Sequence, residues 1–185
     1  MEKRRENVLD VWSWSEHALD ESHPFLKLLD YGIGAAGAGY NTRQPSELHF
    51  LITLMQRWKA EGDQHQATLL SDPWSFGNWL DTVPKTGERQ FRHMLLYLVF
   101  PDTYERISSR GHKRDIVSAF SDLPTSHVPV AGDSDAITVD RKLRAIRSEL
   151  EKEYPEQEVD FYRSPVKERW QAEPPPPWID AGERA

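Results

Sequence analysis

Arg106, Arg110, Lys113 and Arg114 crowd into residues 106–114 around a Ser108-Ser109-Arg110-Gly111 run. A turn of that composition offers free backbone N–H groups, and N–H groups flanked by fixed cations suit a phosphate. These four are the candidate nucleic-acid-binding residues. Across residues 84–114 seven basic side chains stand against three acidic ones, with His93 and His112 in addition, so this stretch is the one plausible polyanion surface. The same cations have blander uses: a solvated helix exterior, or pairing with acids such as Asp102, Glu105 and Asp115 or with an adjoining domain.

Other chemistries are poorly supplied. Gly32-Ile-Gly-Ala-Ala-Gly37 satisfies G-x-G-x-x-G, but a dinucleotide site needs a strand before the glycines and a helix after them, and here the residues before read as helix and those after run to Pro45. A tightly turned loop fits better. No G-x-x-x-x-G-K-[ST] occurs, and no G-x-S-x-G elbow presents Ser108 or Ser109. No His-x-x-x-His pair exists, and a metal at His93, His112, Asp102 and Glu105 would require convergence that spacing does not supply. Asp102 and Glu105 have the spacing of paired carboxylates, yet Asp102 reads more simply as a cap after Pro101. The expectation is no catalytic residue, no cofactor and no metal.

The elements that would hold these residues read as helices. Two short ones within residues 8–31 break near His23-Pro24, and a Gly-rich loop fills residues 32–45. Leu48, Leu51, Leu54 and Trp58 keep a helical period from a Ser46 cap to Gly62. Asp72-Pro73 is a cap with a first-turn proline, opening a helix that stops at Pro84. Helices over 88–100 and 112–120 follow, and Asp140 opens another through Leu143, Ile146 and Leu150. No segment reads as a sheet. Trp12, Trp14, Trp58, Trp74 and Trp79 are expected in the core. Four prolines, Pro174 to Pro177, form a stiff linker that suggests a longer chain beyond Ala185. The fold class is therefore all-α, an irregular multi-helix domain with Gly- and Pro-rich loops, divided into 1–70, a helical core over 71–154 and an extended tail over 155–185.

The composition sets outer bounds. The 185 residues carry a formal charge of -7 and no Cys, which excludes disulfides, thiolate metal sites and cysteine nucleophiles and opposes general coating of nucleic acid. Neither a membrane-spanning run nor a signal-peptide h-region is present, so the expected compartment is the cytoplasm, with no membrane partner.

The stretch from Phe91-Arg-His-Met-Leu-Leu-Tyr-Leu-Val-Phe-Pro-Asp to Arg110-Gly-His-Lys-Arg and Phe120 resembles the segment just upstream of the nucleotide-binding module in McrB-like AAA+ proteins. Those proteins are motor subunits related to modification-dependent restriction systems. A second block, Asp140-Arg-Lys-Leu-Arg-Ala-Ile-Arg with Asp160-Phe-Tyr-Arg-Ser-Pro165 and Trp170, is similar to the piece that follows, and Asp72-Pro-Trp-Ser-Phe fits the lead-in. The similar regions cover roughly residues 72–170. The resemblance implies a place in antiviral defence, at the front of an AAA+ ATPase, with a McrB-like motor domain or nuclease partner and Phe161, Tyr162 and Trp170 as interface residues. The nucleotide-hydrolysing role has no residues here to carry it. What is expected is a non-catalytic recognition or coupling module that mediates assembly or signal transfer to a motor; the alternative is a DNA-binding sensor using the basic 84–114 segment.

Overall fold

The structure, a computed structural model, describes residues 2–14, 20, 22, 24, 26, 40, 42–124 and 130–171. Its described residues form an all-α, irregular multi-helix arrangement without strands. The expected Gly32–Gly37 loop, the helix break at His23 and the Pro174–Pro177 linker lie outside the described residues.

The chain divides after Asn41 into two compact units, 1–41 and 42–185. In the first, α1 runs Glu2–Ser13. Trp12 on it and Trp14 just after it are exposed, which corrects the assignment of these two tryptophans to a core. The expected boundary at residue 70 moves accordingly, because residues 42–70 pack with the helices that follow them.

In the second unit α2 spans Gln44–Ala60, α3 Asp63–Ser71, α4 Pro73–Asp81, α5 Gln90–Val99, α6 Arg110–Ala119, α7 Asp135–Glu153 and the short α8 Lys167–Trp170. Asp72 caps α4 as its sequence suggests, accepting from Trp74 N at 3.1 Å and Ser75 N at 3.2 Å while Pro73 fills the first turn. The start of α2 lies earlier than Ser46, because Pro45 is tolerated in a first turn where no N–H is needed; Arg43 takes the cap position. Ser109 caps α6 through His112 N, and Ser134 caps α7 through Ile137 N. Asp140 is therefore not a cap but an interior residue of α7 turned into the protein, 3% exposed. No helix starts at Asp102 either, which sits in the turns after Pro101.

Two apolar clusters result. Phe50, Leu54, Phe76, Leu80, Leu96 and Tyr104 join α2, α4 and α5 around Ile137 of α7. Trp58, Phe76 and Trp79 pack edge-on or tilted with ring centroids 5.2–5.8 Å apart, so the tryptophans of this unit do serve its core. Ile107, Ile116, Phe120, Leu143, Ile146 and Leu150 form the second cluster between α6 and α7. Val159, Phe161 and Val166 complete it at 2–3% exposure. An extended tail from residue 155 is thus corrected: burying each of those side chains is worth roughly 1.5–3 kcal/mol, enough to fold residues 155–170 back onto α6 and α7. Along α7, Ile137, Asp140, Leu143, Ile146 and Leu150 share one face, and Asp140 lies where the two clusters meet.

Candidate anion-binding face

At that meeting point the interior is ionic. Arg92 on α5 is fully buried; its Nε lies 2.5 Å and its Nη2 2.9 Å from the Asp81 carboxylate at the end of α4, and its Nη1 lies 3.2 Å from Asp140 Oδ2. Lys113 on α6, 2% exposed, places Nζ 2.5 Å from Asp140 Oδ1. Two cations and two carboxylates balance, as burial of charge requires. Ser134 Oγ adds a donor to Asp81. Desolvation lowers the Lys113 pKa despite the attraction of Asp140.

His93 sits beside this network with Nδ1 3.0 Å from Arg92 Nη1. A guanidinium can only donate, so Nδ1 accepts and Nε2 carries the ring proton. Burial, then the charges of Lys113, Arg92 and Arg110, hold the imidazole well below its ordinary pKa and therefore neutral.

Three depressions adjoin one another outside the network. The first, about 230 Å³, is lined by Arg92, His93, Arg110, Lys113 and Arg114 together with the carboxylates of Asp81 and Asp135. A second, about 610 Å³, shares Gly87, His93 and Arg110 with it and adds Arg43, Arg89, Gln90, Ser108 and Ser109. The third, about 420 Å³, shares Ser46, Glu88 and Arg89 with the second and adds His49 and Lys85. Together they mark the face where α2, α5 and α6 begin.

The four expected phosphate ligands separate. Arg110 and Arg114 are exposed on this face, Arg110 donating to Gly87 O at 3.2 Å. Lys113 is removed from the set, since its ammonium is buried and held by Asp140. Arg106 belongs to another region: its Nη2 lies 3.0 Å from Asp160 Oδ2, in a depression where Arg144, Arg147 and Arg163 are answered by Glu105, Glu151, Glu158 and Asp160. Glu105 is not half of a catalytic pair; it is buried against Arg147, whose Nε lies 2.6 Å away.

The expected interface residues are also accounted for internally. Phe161 is core, Tyr162 Oη meets His112 Nδ1 at 3.0 Å, and Trp170 Nε1 donates to Phe161 O at 2.6 Å with its ring 5.2 Å from that of His112. These aromatic residues close the second cluster rather than offering a free docking surface. Among the described residues no group of three or more acidic or imidazole side chains is arranged to hold a metal ion, and no helix is long and apolar enough to cross a membrane.

Arg43 and Arg89 were not singled out as phosphate ligands by sequence, and His93 was weighed as a metal ligand and counted only within the basic 84–114 stretch. A signal existed for the two arginines: each occupies the cap position of a helix, where the macrodipole favours an acid instead. Comparison of the chain with protein-family models, with curated proteins and with solved structures gives no match in any of the three. A role in antiviral defence or restriction and an AAA+ identity are accordingly corrected: no relative ties the chain to them, and of those expectations the helical fold is what stands.

Proposed function

We propose that this chain is a non-catalytic recognition module that holds the phosphate backbone of a nucleic acid on the face where α2, α5 and α6 begin. One observation carries the reading. Arg43, Lys85, Arg110 and Arg114 line the three adjoining depressions and make no ion pair among the described residues. Arg92 and Lys113 beneath this face, and Arg106, Arg141, Arg147 and Arg169 away from it, each have a carboxylate partner. Local cation surplus on a chain of net charge -7 steers a polyanion to one face. The lining is poor in aromatic side chains, which suits backbone contact more than base stacking.

The test is fluorescence anisotropy of labelled single-stranded and duplex DNA and RNA across a salt series. Phosphate contacts predict affinity that falls steeply with salt, and charge reversal of Arg43, Arg110 and Arg114 together should remove it with the helical circular dichroism intact. Absence of binding at low salt by the folded chain would refute the reading.

A second reading, coupling to a protein partner, rests on a different observation. Leu54, Met55, Trp58, Leu70, Leu95 and Val99 line an apolar groove of about 270 Å³ between α2, α3 and α5, and Leu48, Ile52 and Leu98 nearby are more than half exposed. Under this reading Met55→Glu with Leu70→Glu would abolish association with the partner and leave DNA affinity unchanged.

A further inference from the structure

We infer that the 610 Å³ cavity is a socket for a strand-end phosphate, a phosphate monoester at the terminus of a nucleic acid; this rests on the reading that the face carries nucleic acid. Three helices of 17, 10 and 10 residues begin at its wall, and each has an arginine at its cap or its first position. Arg43 and Arg89 are cap residues and Arg110 is the first residue of α6. A cation at the positive end of a helix dipole is unfavourable, and three in one cavity repel one another as well. An anion between them is attracted by each guanidinium and by each helix end, which offsets these repulsions.

Independent of the helix ends, Arg89 itself calls for an acceptor. The residue is 8% exposed, and its buried Nε and Nη1 have no hydrogen-bond partner. Nη1 lies 3.9 Å from Glu47 Oε1, too far for a hydrogen bond, because Glu47 is engaged with the N–H groups of Gln90 and Phe91. Only Nη2 is satisfied, by Glu88 at 2.9 Å. Leaving two guanidinium N–H groups unpaired in the interior is costly, and such orphans in a native protein mark a missing partner. Around them stand further donors. Ser109 Oγ accepts from His112 N and so keeps its own proton to give, and Ser108 and Ser46 hydroxyls line the same space. His93 presents a neutral ring whose proton is on Nε2.

The monoester is favoured over an internal diester on two grounds. Arg89 lines the cavity while its Nε and Nη1 are buried, so a ligand that reaches them must project inward. A diester within a continuous strand is tethered on both sides, whereas a terminal phosphate enters end-on with three free oxygens. Three guanidinium groups and the one carboxylate of Glu88 leave two positive charges on the lining, partly offset by Glu47 3.9 Å behind Arg89, and a near-dianionic monoester neutralises that surplus more fully than the monoanion of a diester. A nucleic acid is favoured over a phosphorylated peptide because the cation-lined depressions on either side, with Arg114 and Lys85, continue the track for the next phosphates.

The test uses the full chain and short single strands of one sequence carrying a 5′-phosphate, a 3′-phosphate or hydroxyls at both ends, compared by competition anisotropy. One phosphorylated form should bind about tenfold more tightly than the hydroxyl form, the gain of one set of charge-assisted hydrogen bonds. Arg43→Gln with Arg110→Gln, both at exposed positions, should bring that ratio to near one with the fold retained, and Arg89→Gln should do the same where it folds. Equal affinity for all three strands overturns the socket and leaves the nucleic-acid face standing. No strand binding at all overturns both readings. Competition by inorganic phosphate or a phosphoserine peptide as effective as the phosphorylated strand overturns the strand-end assignment in favour of a bare-phosphate or phosphopeptide site.

Discussion

Replacing Asp140 by alanine separates two accounts of the ionic centre, one in which it merely decorates the interior and one in which α7 carries the charge that allows Lys113 and Arg92 to be buried. Asp140 provides the carboxylate oxygen 2.5 Å from Lys113 Nζ, the sole ion pair of that ammonium among the described residues, while Arg92 retains Asp81. Removing it strands one cation at 2% exposure. Breaking a buried pair from one side costs about 3–5 kcal/mol. For a unit of this size that corresponds to roughly 6–20 °C in Tm. The reciprocal change, Lys113→Met, leaves Asp140 still bonded to Arg92 at 3.2 Å and fills the space with an apolar chain, so it should cost less than about 2 kcal/mol. In the double variant the stranded ammonium is gone, and the loss should fall short of the sum by roughly 1–3 kcal/mol. Urea unfolding followed by circular dichroism measures all three. Strict additivity, or Asp140→Ala costing less than Lys113→Met, would refute the reasoning.

Gly77 lets α4 approach its neighbours: a Cβ there would lie 2.3 Å from Tyr104 Oη and 2.4 Å from Ile137 Cδ1, so Gly77→Ala should lose about 1–2 kcal/mol net of its better helix propensity, and a neutral result in urea unfolding would contradict the packing. The His93 pKa is depressed in the folded state, so the unfolded chain binds the extra proton; stability is complete above the ordinary value of 6.5 and falls by about 1.4 kcal/mol per pH unit as pH drops below it. Below about 4.5 the lowered carboxylates of Glu61, Asp72, Asp133 and Glu153 add to the loss as they protonate, so the slope between those limits is assigned to His93 and should vanish in His93→Gln, measured as urea midpoint against pH. Ending the chain after Tyr154 removes Val159, Phe161 and Val166 from the second cluster, and the expected outcome is loss of the cooperative thermal transition of α6 and α7; an unchanged Tm would restore the extended tail.

Where the chain announces its own local chemistry, the sequence was readable. Asp72-Pro73 states a helix start outright, and the leucine period of α2 places the helix, although its buried face runs through Glu47, Phe50 and Leu54 and leaves Leu48 exposed. Asp140 misled because an acid before an apolar period looks like a cap, when Ser134, six residues earlier, already satisfies the first turn of α7. Residues 155–170 look like a tail because they lack periodicity; three apolar side chains fix them in place without any. The fate of Lys113 was closed to local reasoning, since its partner stands 27 positions away on another helix. The face was legible in part. Arg110 and the Ser108-Ser109 turn are adjacent in the chain, but Arg43 and Arg89 reach them only through the packing of three helix ends.

Glu47 reaches from α2 to accept the first two N–H groups of α5, at 3.2 and 3.1 Å, from more than 40 positions away. The cap on α5 is therefore a tertiary contact, and no neighbour in its own sequence replaces it, because Arg89 provides no side-chain acceptor there. The opening turn of α5 and the body of α2 share one fate: when α2 lifts, the amides of Gln90 and Phe91 lose their acceptor at the same moment. In native-state hydrogen exchange these two amides should report the same opening free energy as the centre of α2, a cooperative unit joined across the chain rather than along it.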